Sequence, residues 1–321
     1  MTKDTVIRIL ALVLLLTFAL VPAINADDFP AKEVTIVCHA KAGGGSDLFA
    51  RQLAKYAEKY LGKPLIVINK RGGRGSTAMS YMHRLPPDGY TVMTCTPSVL
   101  SNWAAGRAPL AWDKFTGITI AQIDMWMIAV PAGSTYSSLE KLIREAKQNP
   151  DDLQWAGFEV GTSPHMIGYE LSKAENFELT WIPYQGGGAV VTALLGNQQG
   201  VGIAAASVLR PHLDAKKLLP LAVASANRSV FYTDVPTLEE KGYDINLTQW
   251  RGIIARKGIP EERIQILSNA FQKAMQEPGW KDYMKKSGME GINISPDEYS
   301  KSIDKEIKSI RTYMKQIDMI K

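Results

Sequence analysis

The feature that most constrains the fold is a regular alternation of short β-branched segments with longer amphipathic ones. Residues 34–38, 65–68 and 90–95 are rich in valine, isoleucine and threonine, and helical spacing of apolar residues separates them at 46–61 and 75–85. Connections of this length join parallel strands, because antiparallel neighbours need only a short turn. The pattern predicts an α/β protein whose sheets are covered by helices on both faces.

The alternation restarts after Asp124, which predicts a second sheet. The strands predicted there are 125–130, 153–156, 179–183, 200–205 and 219–224, with helices at 138–148, 165–174 and 189–195. A strand at 249–255 returns towards the first sheet, and helices at 260–276, 280–287 and 296–317 end the chain. We therefore predict two lobes, each a mostly parallel sheet flanked by helices. Lobe one comprises residues 27–124 and 251–321, lobe two comprises residues 125–250, and crossings near Asp124 and Trp250 form a hinge.

The N-terminus has the layout of an export signal. Two basic residues precede an apolar run at 9–21, and small residues follow at Ala23 and Ala26. The run is shorter than the roughly 20 residues that a helix needs to span a bilayer. It predicts a cleavable signal peptide over residues 1–26, cut after Ala26 or, as a second choice, after Ala23. A retained N-terminal anchor helix is the alternative.

Charge and cysteine content exclude some classes of function. The net charge is +5, but the basic residues are scattered rather than concentrated in a patch, so we expect no binding to nucleic acid. Cys38 and Cys95 each end a predicted strand. Export permits a disulfide between them, and two buried thiols are the alternative, favoured by the poor geometry of a bond between adjacent strands.

The side chains that catalysis would need are dispersed. The histidines at positions 39, 83, 165 and 212 have no metal-ligand spacing, and the chain contains no GxSxG motif. His39 follows Cys38, but adjacent strand residues point to opposite faces of a sheet. We therefore predict no enzyme activity, no metal and no cofactor.

The strand-to-helix loops are the candidate site, because ligands of open α/β sheets bind beyond the carboxyl ends of the strands. Residues 42–47, here called the first glycine loop, contain three consecutive glycines that let the backbone approach a ligand. The helix that follows offers unpaired N–H groups to a carboxylate, phosphate or sulfate, and Lys41 adds a charge at the rim. An ordinary turn with Ser46 or Asp47 as the helix cap is the alternative.

Further loops have the same character. Residues 96–98 follow a predicted strand, residues 161–165 and 183–188 each precede a predicted helix, and residues 204–207 end one more strand. We call residues 183–188 the second glycine loop. The residues predicted to bind the ligand are Lys41, Gly43, Gly44, Gly45, Ser46, Asp47, Thr96, Ser98, Gly161, Thr162, Ser163, His165, Tyr184, Gly186, Gly187 and Ser207.

Several longer motifs carry a family resemblance. They include AGGGSDLFARQLA, LGKPLIVINKRGGRG, PPDGYTV, VPAGSTYSSLEKLI, WIPYQGGGAVVTALLGNQQ, DVPTLEEKGYD and WRGIIARKGIP. In order and spacing the chain resembles the tripartite tricarboxylate transporter receptors, also called Bug or TctC-like solute-binding proteins. The resemblance implies a type II periplasmic-binding-protein fold that closes on its ligand. It also implies that the two glycine loops hold a carboxylate, partly through ordered water.

The resemblance implies a function as well. The protein would capture a small mono-, di- or tricarboxylate in the periplasm and deliver it to a membrane permease of the same transporter type, with a sensor kinase as a further candidate partner. We expect a monomer. Lys41 and Glu159 depart from the usual family pattern: Lys41 favours a more anionic ligand and Glu159 a ligand with an amine. The alternative is an exported enzyme that uses the first glycine loop as an oxyanion or phosphate site.

Overall fold

A computed structural model describes residues 29–150 and 152–321, so the predicted signal peptide at 1–26 lies outside the described residues. The strands are β1 (Val34–Cys38), β2 (Leu65–Asn69), β3 (Thr91–Cys95), β4 (Phe115–Pro131), β5 (Gln154–Gly157), β6 (Thr180–Pro183), β7 (Val201–Ala205), β8 (Leu218–Val223), β9 (Thr248–Arg256) and β10 (Glu290–Ile294). The helices are α1 (Gly45–Leu61), α2 (Ser76–His83), α3 (Pro97–Ala104), α4 (Leu139–Gln148), α5 (Ser163–Glu175), α6 (Gly187–Leu195), α7 (Ala206–Asp214), α8 (Glu261–Met275), α9 (Pro278–Ser287) and α10 (Pro296–Gln316). Within the described ranges no helix is long and apolar enough to cross a membrane.

The strands follow the order β2-β1-β3-β9-β4-β7-β5-β6, and β8 and β10 also pair with β4. β1 pairs in parallel with β2 and β3, and β5 pairs in parallel with β6 and β7. β4 and β9 lie between these two parallel sets and pair antiparallel with their neighbours. The predicted α/β class with helix-flanked sheets is confirmed.

β4 is longer than the strand predicted at 125–130. It pairs with β9 from Phe115 to Met125 and then with β7 from Trp126 onward, so one strand runs through both halves of the sheet. Its first half was missed because Gly117 and several buried polar side chains interrupt the apolar pattern. β4 and β9 cross between the two strand sets where Ile123 pairs with Trp250. The division into two lobes at this crossing stays a prediction.

Four clusters of buried apolar side chains cover both faces of both strand sets. Beside the first parallel set, one cluster lies under α1, α8 and α9, and another lies under α2, α3 and α10. Beside the second set, one lies under α4 and α5, and the other under α6 and α7. Each helix that directly follows a strand of these sets begins beyond the carboxyl end of that strand.

The ends of several elements differ from the expectation or sharpen it. No element is predicted from the sequence at α3, α7 or β10, which are short. Ser138 caps α4, and Ser295 and Glu298 form a reciprocal capping box at the start of α10. Cys38 and Cys95 are both buried and free, so the disulfide considered from the sequence is not formed.

Candidate functional site

The first glycine loop joins the end of β1 to the start of α1. Gly44 precedes the helix in an extended conformation without a side-chain cap, so neither Ser46 nor Asp47 caps the helix as the alternative interpretation expected. Gly43 has φ +73°, a conformation that glycine adopts without strain. The amides of Gly45 and Ser46 belong to the first turn, and no acceptor in the described part of the chain pairs with them.

Asp47 fastens this loop. Its Oδ2 accepts from the Gly43 amide at 2.9 Å and from Arg51 Nε at 3.0 Å, while its Oδ1 accepts from Asn69 Nδ2 at 2.9 Å. The Asn69 amide also donates to the carbonyl of Ala40 at 3.1 Å. Burial acts to raise the pKa of Asp47, but the hydrogen bonds from Arg51, Gly43 and Asn69 hold it below its ordinary value. Both oxygens of the Asp47 carboxylate therefore accept hydrogen bonds that hold the loop in position.

A second cluster lies where β1 and β3 end. His39 Nδ1 lies 2.7 Å from Thr94 Oγ1, and His39 Nε2 lies 3.3 Å from Thr96 Oγ1. The hydroxyls of Thr96 and Ser98 are 2.9 Å apart, with Thr96 buried and Ser98 exposed. Burial lowers the pKa of His39 to about 4, so its ring is neutral at pH 7. The sequence predicted Thr96 and Ser98 here but not His39.

The second glycine loop occupies the equivalent position at the end of β6. The amide of Tyr184 donates to the carbonyl of Gly157 at 2.7 Å, and Gln199 Nε2 donates to the Tyr184 hydroxyl at 3.3 Å. Gly186 has φ +103°. The amides of Gly187 and Gly188 begin α6, and among the described residues no acceptor pairs with them. This loop therefore also presents free backbone donors.

The loop at residues 161–165 lies against the C-terminal part of the chain. Thr162 Oγ1 donates to the Glu159 carbonyl at 2.7 Å, and Ser163 begins α5. A Cβ placed on Gly161 would lie 2.5 Å from the sulfur of Met319. The His165 ring bonds to the Tyr313 hydroxyl and packs edge-on to an aromatic neighbour. Both Gly161 and His165 are therefore packed against other side chains.

Ser207 and Asp124 connect the end of β7 with β4. The Ser207 amide donates to Asp124 Oδ1 at 3.1 Å, and the Ser207 hydroxyl bonds to Asp124 Oδ2. Asp124 is buried, and burial raises the pKa of its carboxyl against the lowering effect of Ser207. Ser207 was predicted as a ligand residue, and Asp124 only as part of a hinge.

Arg251, on β9, is a charged side chain that the sequence analysis did not select. Its Nη2 lies 2.7 Å from the point where a Cβ of Gly45 would be, so the guanidinium touches the start of α1. Burial lowers the pKa of Arg251, and the charge of Asp124 opposes that shift. The available signal was a charge within the otherwise apolar segment at 250–255.

The departures at Lys41 and Glu159 have different surroundings. Lys41 is exposed at the rim of the first glycine loop, as expected. Glu159 forms an ion pair with Arg74, so its carboxylate already has a cationic partner, and the expected preference for an amine finds no support in its contacts. The loop that contains Glu159 makes a further contact with the first strand set, because Ser101 Oγ donates a hydrogen bond to the Gly161 carbonyl at 3.5 Å.

The chemistry of the described residues is that of binding. Burial raises the pKa of both Cys38 and Cys95, which disfavours the reactive thiolate. Among residues 29–150 and 152–321, no group of three or more His, Cys, Asp or Glu side chains could hold a metal ion. The loops instead offer free helix-start amides and hydroxyls, which suit a polar anion.

Free helix-start amides beyond the ends of two parallel strand sets are the arrangement expected of a solute-binding receptor, and comparison with known proteins identifies the family. Residues 49–319 match the model of the tripartite tricarboxylate transporter family receptor. The chain belongs to this family. The resemblance inferred from the motifs is confirmed, and so is the expectation that the protein is a receptor rather than an enzyme, because the family consists of receptors.

Relatives are similar along most of their length. A UPF0065 protein in the gbd 5' region of Cupriavidus necator is 30% identical, with 92% of this chain and 91% of the relative covered. Protein BugT of Bordetella pertussis is 25% identical, with 94% of each chain covered.

Solved structures share the fold. A TctC solute-binding protein from Polaromonas aligns with a TM-score of 0.82 at 24% identity, covering 90% of this chain and 99% of that one. An R. palustris protein with adipate aligns with a TM-score of 0.74 at 25% identity, over 89% and 97% of the two chains. MatC from Rhodopseudomonas palustris with bound malate aligns at 0.72 and 23% identity, over 88% and 99%.

Proposed function

We propose that this receptor captures a small carboxylate between its two glycine loops and delivers it to a tripartite tricarboxylate-type membrane permease. The observation that carries the proposal is the pair of free amides, Gly45 and Ser46, at the start of α1 in a loop that Asp47 fastens. Free amides at a helix start stabilise an anion, and a fastened loop loses little entropy when it binds one. Solved relatives with malate and adipate support the ligand class.

The proposed binding set is the one inferred from the sequence. Besides the first glycine loop, its polar side chains include Thr96, Ser98, Thr162, Ser163, Tyr184 and Ser207. Their position at the carboxyl ends of strands supports this role. Gly161 and His165 belong to the set only if the loop at 161–165 moves, because both are packed against other side chains.

We also propose that the two predicted lobes close on the ligand by a hinge at the crossing of β4 and β9. The crossing pairs Ile123 with Trp250 and Asp124 with Gln249. A ligand favours the closed form only through contacts that the open form lacks, so both glycine loops must touch it. The same proposal includes further points. The signal peptide is removed, the mature protein resides in the periplasm and acts as a monomer, and a sensor kinase is a further partner.

The test is calorimetry of the mature protein with a panel of acetate, malate, adipate and citrate. We expect saturable binding of at least one acid with no chemical change to it. A thermal-shift scan should agree, because an acid present at 100 times its Kd adds about 2.7 kcal/mol to stability. Small-angle scattering should give a smaller radius of gyration with that acid. Failure of all four acids to bind, or conversion of one to a product, contradicts the proposal.

A further inference from the structure

The guanidinium of Arg251 lies in an unusual electrostatic position. It touches the first residue of α1, where the free amides of Gly45 and Ser46 already give the helix about half a positive charge. Two positive groups side by side repel each other, and an anion between them would offset that repulsion. Gly45 is exposed and Arg251 only partly buried, so an anion can reach both from solution.

The described residues do not supply that anion. Arg251 Nε is buried without a hydrogen-bond partner, and Nη1 makes only a weak contact with the sulfur of Met289 at 3.7 Å. Asp124, whose charge acts on Arg251, uses both of its oxygens on Ser207, and no ion pair joins the two side chains in the described part of the chain. Arg251 is partly buried as a whole, but the unmet N–H of its Nε is costly, because that donor is withdrawn from water and has no acceptor.

We propose that Arg251 is the cation of the ligand site, and that it binds one carboxylate of the ligand together with the amides of Gly45 and Ser46. The inference rests on the proposed function and deepens it. A guanidinium presents a planar fork that matches the two oxygens of a carboxylate, whereas backbone amides alone accept any polar oxygen. Arg251 therefore makes the site selective for an ionised carboxylate over a neutral isostere such as an amide.

The position of Gly45 offers an independent way to test the contact. A methyl group there would meet Nη2 at 2.7 Å, and Nη2 is the far end of a flexible side chain. Gly45→Ala should therefore displace the guanidinium while α1 stays intact. This variant moves the charge without removing it.

The experiment measures the affinity of wild type, Arg251→Met, Arg251→Lys and Gly45→Ala for the acids of the same panel by calorimetry. Arg251→Met should reduce the affinity for the acid that binds tightest by about 10- to 100-fold, the range expected for losing a charged hydrogen bond. Lysine keeps the charge but not the fork, so its loss should be smaller. The matched control is Arg144→Met, since Arg144 is exposed on α4 and should leave affinity unchanged.

Thermal unfolding without ligand separates binding from a structural role. If Arg251 serves the ligand, Arg251→Met should unfold at the same temperature as wild type or higher, because a partly buried charge without an ion-pair partner is removed. Wild-type affinity in both Arg251→Met and Gly45→Ala overturns the inference and leaves the proposed function standing. A wild-type protein that binds none of the acids overturns both. Should Arg251→Met fail to fold, Arg251→Lys and Gly45→Ala decide the outcome.

Discussion

The two glycine loops look alike in the sequence but are held in different ways. In the first, the carboxylate of Asp47 accepts from the Gly43 amide and from Asn69, so side chains fix the backbone. In the second, no side chain of the described residues accepts from a loop amide. A backbone hydrogen bond from Tyr184 to Gly157 holds the start of that loop, and packing of the first turn of α6 holds its end.

This difference makes the first loop rigid and the second loop adaptable. A loop fixed by a buried, hydrogen-bonded carboxylate is organised before the ligand arrives. The free energy of ligand binding then does not have to offset the entropy lost when the loop becomes ordered. The first loop also has a guanidinium beside its helix start, whereas the second has only backbone donors. We expect the first loop to bind the charged end of the ligand and the second to adjust to the remainder.

The largest effect should come from removing the carboxylate that fastens the first loop. Asp47→Ala leaves the Gly43 amide and Asn69 without an acceptor, so the free energy of unfolding should fall by about 2–4 kcal/mol in chemical denaturation at pH 7. Gln185→Ala, at an exposed position of the second loop, is the matched control and should have no effect. Equal losses in the two variants would mean that the loops are held alike.

The next effect concerns steric access to the two loops. Gly44→Val should weaken carboxylate binding at least tenfold, because the loop is fixed and the Lys41 carbonyl already lies 3.1 Å from the new Cβ. Gly188→Val should weaken it less, since nothing lies within 4 Å of its Cβ position and the second loop can adjust. Titration calorimetry measures both, and circular dichroism checks the fold. A larger loss at Gly188 would reverse the proposed roles.

A pH effect on stability should involve the neighbourhood of the first loop but not the second loop. The folded protein holds the pKa of His39 at about 4, below the value of about 6.5 in an unfolded chain. The unfolded state therefore binds the proton first, so His39 lowers stability as pH falls from about 6.5 to about 4, by at most about 3 kcal/mol.

Denaturation of wild type and His39→Gln across this pH range tests the effect. The variant should lose part of the slope, while Tyr184→Phe in the second loop should retain the wild-type slope. His165, whose pKa burial also lowers to about 4, contributes to the remainder with the same sign. An unchanged slope in His39→Gln would show that His39 is not the group responsible.

The smallest effect is expected from the exposed member of the first loop's network. The Arg51 side chain is 50% exposed, so water screens its ion pair with Asp47. Arg51→Gln should reduce the free energy of unfolding by less than about 1 kcal/mol and leave affinity within about twofold. Asn69→Ala, which removes a less exposed donor to the same carboxylate, should cost more. The reverse order would contradict this assignment of the Asp47 network.

Much of the fold could be predicted because its determinants are local. The β-branched segments, the N-terminal serine caps at Ser138 and Ser295, and the glycine-rich turns each act within a few residues. Local sequence signals failed to predict a strand where its pairing depends on residues far away in the chain. The first half of β4 is an example: its polar residues are buried against β9, which lies more than a hundred residues later in the chain.

The sequence by itself determined that this protein has an α/β fold, that glycine-rich loops follow its strands, and to which receptor family it belongs. Only the tertiary structure decided what those loops touch. Asn69 lies beside Asp47 because β2 pairs with β1, and Arg251 lies beside Gly45 because β9 passes under α1. The physical reason is that propensity and capping act through neighbouring residues, whereas a site's charge balance depends on groups that packing brings together from distant parts of the chain.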